Sequence, residues 1–535
     1  MSGRNVAQAK ADLAIVNSHV ITLDPRQPRA EAIAIAGDRI LCVGGRGDIE
    51  ASTDRGTRII DLAGKTVMPG FIDAHSHIFF GGVVAEAVDV TAVRNIDDIV
   101  AAVAARAAQT PQGRWIRGYG FSIDNLAEQR HPTRTELDQA TTDHPVWVTS
   151  DSFHSSSANS LGFDAIDLDP GNPGLEHDAT GEPTGAYVTD AANIPARQRV
   201  FGFISEADAA RMIRLMAEES ARRGITTMHA FEGSRMSGDR DLGTLLEIAS
   251  QLPIRIIPYY ETFDVDAARD KRIRGLGGCG RCNLDGMPNT FTAALIEPYS
   301  DQPTCRGELH YAQEKIDSFI LDAYARGIQV GMHAMGDAAI EQLLLSHERA
   351  RSKFPDSALR HRIEHFHLPN AAQIERAARL GLVLAMHPIF AFLWSQPDGV
   401  FERRFGKERH RRVERYRDLI DAGCTVAIGA DLPVHPPAPF LWLSLLTNNP
   451  IDPSQSITLD EALRIAIRNG AYAGHEEHEK GSLAAGKLAD MIVIDRDPYR
   501  CSASELATIG IDTTIVGGCV VYSRSVAGHE LTRET

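Results

Sequence analysis

Two histidines one residue apart stand where an apolar run gives out, in Phe71-Ile72-Asp73-Ala74-His75-Ser76-His77. If the run is a strand, its alternation places both imidazoles on one side. Two neutral imidazoles aimed at one point suit a borderline divalent metal such as zinc. The pair alone is weak evidence, because unrelated core or surface histidines produce the same spacing. Repetition strengthens it. His333 ends Ile328-Gln329-Val330-Gly331-Met332, His365 follows Arg362-Ile363-Glu364, and Asp431 follows Val426-Ala427-Ile428-Gly429-Ala430. In a parallel barrel the C-terminal ends of all strands converge on one face, however distant in sequence. Such a set is suited to hydrolysis by metal-activated water.

The elements needed for that convergence are legible. Short apolar runs at 69–74, 146–149, 226–230, 254–259, 329–333, 362–365, 382–386 and 425–429 read as eight strands. Helical patterns intervene, among them 205–223, 314–326 and 370–380. Alternation of this kind predicts a (β/α)8 barrel over residues 69–479. Residues 113–197, rich in Gly, Pro, Asp and Ser, exceed the needs of one βα unit and read as a substrate-side insertion. Both termini carry short strands: 13–23, 32–36 and 39–43 at one end, 489–494 and 514–522 at the other. Neither piece can bury a core alone, so residues 1–68 and 480–535 are expected to form one composite β-domain.

A chain of 535 residues exceeds one ordinary core, and a formal charge of −16 disfavours a phosphate-backbone binder. A small-molecule substrate is expected, with no nucleic acid and no membrane partner; a homodimer is compatible with the sequence. The first residues lack a secretory h-region and no apolar run reaches membrane-spanning length, which points to the cytoplasm. Seven cysteines are sparse and odd in number, unlike a disulfide framework.

Several stretches resemble the amidohydrolase superfamily, and within it the YtcJ-like (family 3) branch that includes formamide deformylases. They are Val67-Met68-Pro69-Gly70 leading into the first histidine pair, His333-Ala334-Met335-Gly336-Asp337, Arg360-His361-Arg362-Ile363-Glu364-His365, Ile428-Gly429-Ala430-Asp431-Leu432-Pro433 and Gly481-Ser482-Leu483-Ala484-Ala485-Gly486-Lys487-Leu488-Ala489-Asp490. Gly181-Glu182-Pro183-Thr184-Gly185 and Asp285-Gly286 with 292–301 are similar to that branch in particular. The resemblance covers nearly the whole chain. It implies a TIM-type barrel with a β-sandwich built from both termini, and hydrolysis of an amide or formamide C–N bond. It further implies that His75, His77 and Asp431 hold a first metal, that His333 and His365 complete it or hold a second, and that Asp431 shuttles the proton. A deaminase, another metal-assisted C–N or C–C cleavage, or a catalytically idle metal-binding scaffold are the alternatives the same residues allow.

The chain departs from that pattern in two places. Relatives often carry a lysine, carboxylated to bridge two metals, four residues before the Asp-Gly pair. Here Arg281 stands there, and a guanidinium cannot serve, so one divalent ion, zinc, held by His75, His77, His333 and Asp431, is favoured over two, with His365 contacting substrate or bound hydroxide. Within Cys279-Gly280-Arg281-Cys282 a thiolate substitute is open, as is a plain glycine-rich loop. His387 replaces a frequent glutamine, as a substrate contact or a loop histidine. On the substrate side, His154 and Asn159 resemble a carbonyl-binding element, with a loop-capping pair as the alternative. Phe79, Phe80, Phe121, Phe153, Phe390, Phe392 and Trp394 are candidates to line an apolar pocket, although several of them are expected to be core.

Overall fold

The computed structural model describes residues 10–233, 238–396 and 398–524. Eight parallel strands follow one another in chain order: β1 (Phe71–Ser76), β2 (Ile225–Glu232), β3 (Arg255–Tyr260), β4 (Gly275–Asn283), β5 (Gln329–Ala334), β6 (Arg362–His365), β7 (Val383–Met386) and β8 (Thr425–Ile428). The seam between β8 and β1 is spanned at its C-terminal end, where Asp431 N–H donates to His75 O at 2.9 Å and Ala430 N–H to Asp73 Oδ1 at 3.1 Å. A Cβ on Gly429 would lie 2.5 Å from His75 N, so only glycine permits this approach. The result is the nearly closed TIM-type barrel expected from the alternating runs. Among its helices, Ala371–Leu380 starts on a reciprocal Asn370/Gln373 cap and ends at Gly381 in the left-handed region, as the sequence suggests.

One strand assignment is corrected. Residues 146–149 do form a strand, Val146–Ser150, but it pairs with Ile116–Phe121 and Ser156–Ala158 in a separate six-stranded sheet. The missing barrel strand is β4, whose Gly-Leu-Gly-Gly-Cys-Gly-Arg-Cys-Asn sequence contains no β-branched residue and reads as a loop. Its glycines have a steric purpose. Gly277 has φ +114°, and a Cβ there would lie 1.6 Å from Gly331 O. Beyond Gly278 the β4–β5 register slips, so that Asn283 pairs with His333. Gly277→Ala is expected to destabilise the fold by about 2–5 kcal/mol, from a strained φ and a backbone overlap together. Denaturant titration of the variant against the parent chain checks this.

Both chain ends contribute to two further sheets. One orders Arg39–Gly44, Ala32–Ala36, Leu13–Val16 and Arg58–Asp61. The other orders Cys519–Ser523, Ile511–Val516, Met491–Ile494, Thr66–Pro69, His19–Ile21 and Arg29–Ala30. Ile15, Ile33, Ile35, Val67, Met491 and Ile515 belong to one buried cluster between them, giving a β-sandwich. Residues 1–9 and 525–535, at the extremes of the anticipated terminal domain, lie outside the described residues. Thr66–Pro69 runs antiparallel to Met491–Ile494 and leads through Gly70 alone into β1.

Residues 79–216, with 233 and 238–245, form a second compact unit, which contains the whole of 113–197. Its own core includes Val90, Ile99, Ile116, Phe121, Leu137 and Val148. No helix among the described residues is long and apolar enough to cross a membrane.

Candidate metal centre

The barrel gathers His75 from the end of β1 and His77 just beyond it, Cys279 from β4, His333 from β5, His365 ending β6, His387 just beyond β7 and Asp431 just beyond β8. His75 Nε2 lies 3.5 Å from Asp431 Oδ1, and His77 Nε2 lies 3.7 Å from the same oxygen. The Cys279 sulfur is 3.4 Å from His75 Nε2, 3.5 Å from His333 Nδ1 and 3.1 Å from His365 Nε2. His365, Phe366 and Asp431 have φ of 74°, 44° and 58°. Left-handed backbone costs such residues about 1–3 kcal/mol each, and such strain concentrates at functional sites.

A layer of partners behind these side chains sets which ring atoms face inward. His77 Nδ1 donates to Phe231 O at 2.8 Å and His387 Nδ1 to Gly429 O at 3.1 Å. His75 Nδ1 lies 2.8 Å from Glu364 Oε2. All three rings therefore keep Nε2 for the centre. Glu364 is itself clamped by Arg362, whose Nε and Nη2 each donate at 2.8 Å. The same guanidinium reaches Ala74 O at 2.6 Å and His229 Nδ1 at 2.8 Å, and both residues of the pair are fully buried. Asp285 accepts from Met335, Gly336 and Ala294 N–H at 2.8–3.0 Å, with Oδ1 3.5 Å from His333 Nε2.

The electrostatics fit a cation. Burial pushes the imidazolium forms of His77 and His387 down to about 4 and that of His333 to about 3, so these rings are neutral, as ligation requires. Burial acts on His75 in the same direction, but Asp431 and Glu364 outweigh it and hold this one ring at about 9. Burial also opposes ionisation of Asp431 and Glu364. It is outweighed by His75 and His387 beside Asp431 and by Arg362 and His75 beside Glu364, and both carboxyls sit below their ordinary range. Carboxylates and neutral imidazoles around one buried point form a site built for positive charge. Imidazole, thiol and carboxylate are the donor types that borderline divalent metals take. Ligand atoms of His75, His77, Cys279 and Asp431 lie within 4.8 Å of one another, as do those of Cys279, His333 and His365, and of His75, His365 and His387.

The remaining expected residues are placed differently. Asn159 spends its amide on the chain: Oδ1 accepts from Val146 and Gly162 N–H at 2.9 Å, and Nδ2 donates to Thr141 O and His144 O. It is the buried cap of helix Ser160–Ile166, which corrects its assignment to substrate in favour of the capping alternative. Phe153, with φ 63°, stacks on Tyr119 at 4.5 Å within the second unit. His154, half-buried in that unit, donates its backbone N–H to Ser152 Oγ at 3.3 Å. Trp394 packs edge-on against Phe390 at 4.7 Å, in the apolar clusters under helix Ile389–Trp394. Cys282 points away from the histidines, toward Thr262 O at 3.7 Å. Glu364, Arg362, Asp73 and Asp285 went unassigned; the one available signal was Arg362-Ile363-Glu364, two opposite charges on one face of an otherwise apolar strand.

A metal-ready cluster on the C-terminal face of a barrel calls for comparison with known proteins. An amidohydrolase family model matches residues 58–522. The chain belongs to that family. N-substituted formamide deformylase of Arthrobacter pascens is 28% identical over 96% of this chain and 99% of its own length. YtcJ of Bacillus subtilis, named for the same family, is 27% identical over 88% of this chain and 91% of its own. Among solved structures, an uncharacterized metal-dependent hydrolase from Pyrococcus furiosus superposes with a TM-score of 0.77 at 27% identity, covering 91% of this chain and all of that one. The amidohydrolase is thus an enzyme of carbon–nitrogen bonds other than peptide bonds, and its cluster of donors belongs to a metal-dependent fold.

Proposed function

We propose that the amidohydrolase cleaves the amide or formamide C–N bond of a small, apolar or aromatic N-substituted substrate, using zinc held by His75, His77, His333, His365 and Asp431. The observation that supports this most directly is the convergence of these side chains, buried and oriented by outer partners, on the strand-end face of the barrel. A bound divalent cation supplies Lewis acidity, making water a nucleophile at neutral pH. The chain's own groups do the rest. Asp431 Oδ1, an ionised carboxylate beside the two first-strand rings, takes the proton of the attacking water and returns it to the departing nitrogen. His387, whose Nδ1–H is given to Gly429 O, presents a buried, unprotonated Nε2 toward the same space and accepts a hydrogen bond from the substrate N–H. Arg362 holds Glu364, and Glu364 holds His75, so the rings do not turn during the reaction.

A panel of N-substituted formamides, simple amides and amino-heterocycles, read for released amine, carboxylate and ammonia, tests the substrate class. Formate or carboxylate with amine is the expected pair; ammonia alone from ring substrates would replace this reading with deamination. Dialysis against a chelator is expected to remove at least 90–99% of turnover, about 10–100-fold, with recovery on adding zinc. Turnover that survives complete removal of metal would overturn the proposal.

A further inference from the structure

We propose that Cys279 is a bridging thiolate, and that the centre holds two divalent ions rather than one. This rests on the metal-dependent reading above and deepens it. Two of the three donor groups meet at one atom, with His75, His77, Cys279 and Asp431 on one side and Cys279, His333 and His365 on the other; the third, His75, His365 and His387, spans them. An ion with bonds of 2.0–2.3 Å in tetrahedral array has its ligand atoms roughly 3.3–3.8 Å apart. The sulfur lies 3.4 Å from His75 Nε2, 3.5 Å from His333 Nδ1 and 3.1 Å from His365 Nε2. Asp431 Oδ1 lies 3.5 and 3.7 Å from the first-strand rings. All but the 3.1 Å contact to His365 fall in that range, as expected of two coordination shells that share a sulfur corner.

The donor count points the same way. Four imidazoles, one carboxylate and one thiol exceed the four places around a single zinc ion. A thiolate has lone pairs enough for two ions, and paired metals in hydrolases sit about 3.5–4 Å apart, a separation one sulfur can span. The geometry of β4 delivers the sulfur. Gly277, Gly278 and Gly280 have φ of 114°, 122° and 108°, and the register slip after Gly278 turns Cys279 into the barrel mouth. Arg281, at the position where a lysine would bridge, is only partly buried, and its carbonyl accepts from Tyr311 at 2.7 Å. The bridge has moved two residues along the strand and changed from oxygen to sulfur chemistry.

The test is cobalt reconstitution of the full chain. The parent protein, stripped and titrated with Co²⁺, is expected to take up two ions per chain, with a near-ultraviolet thiolate-to-cobalt charge-transfer band and spin coupling between the ions by electron paramagnetic resonance. Cys279→Ser is expected to lose the band and the coupling and to retain one ion or fewer, while Cys282→Ser keeps all three signals. The parent measurements decide the matter even if Cys279→Ser fails to fold. One ion without a thiolate band would overturn the bridge and leave the metal-dependent reading intact. No cobalt or zinc bound at all would overturn both. A band that survives in Cys279→Ser and vanishes in Cys282→Ser would assign the sulfur to the wrong cysteine and sink the proposal.

Discussion

Asp431→Asn is expected to lower kcat by about 10²–10⁴-fold while leaving metal content close to that of the parent chain. Asparagine preserves the volume and one oxygen at the end of β8, so a ligand contact survives. It cannot accept a proton from water, which is the role proposed for Oδ1 at 3.5 and 3.7 Å from the first-strand imidazoles. The informative pair of measurements is turnover of a substrate found in the panel and metal per chain by mass spectrometry. Near-parental kcat would remove Asp431 from proton transfer. Loss of metal in step with loss of rate would make it a ligand with no separate chemical role.

The second large effect is expected at Glu364. Its carboxylate neutralises Arg362 in the barrel interior, where neither side chain has any exposure, and it fixes His75 through a 2.8 Å contact. Glu364→Ala leaves a buried guanidinium without its counter-charge, which typically costs about 3–5 kcal/mol. The guanidinium also lies 5.2 and 4.9 Å over the rings of Phe231 and Tyr259, contacts too weak to replace a carboxylate. The freed His75 ring should weaken metal binding by about 10–100-fold. Chemical denaturation and competition with a chromogenic chelator measure the two effects separately. Glu364→Gln, which keeps an acceptor oxygen near Arg362 but not the counter-charge, is expected to recover only part of the stability and not the metal affinity. Parental values for the alanine variant on both measurements would mean that the buried pair has no part in supporting the centre.

Much of this architecture is legible in the residues because the ligands sit at the ends of strands whose apolar runs announce them. His75, His77, His333, His365 and Asp431 all follow such runs, and parallel strands aim them at one face. β4 is different. Three glycines with left-handed φ replace the apolar side chains that mark a strand, since β5 passes too near for a Cβ at Gly277. The strand is therefore hidden in the sequence, although Cys279 stands out there as a possible thiolate ligand. Val146–Ser150 errs in the opposite direction: its Val-Trp-Val core reads as a barrel strand, and only its pairing with Ile116–Phe121 shows that it belongs to another sheet. Asn159 shows a third limit. A polar residue beside a possible site has the same composition signal whether it caps a helix or meets a ligand, and four hydrogen bonds to backbone decide for the cap.

The strand that feeds the first two histidines takes one of its two partners, Met491–Ile494, from the far end of the chain. Thr66–Pro69 is hydrogen-bonded to Met491–Ile494, more than four hundred residues later, and only Gly70 separates it from β1. During synthesis His75 and His77 leave the ribosome early, but the segment that anchors them has only His19–Ile21 to pair with until almost the whole chain has followed, and Asp431 too arrives late. Domains generally fold as units once their elements are present. The full set of donors can accordingly come together on this polypeptide only after β8 and Asp431 have been made.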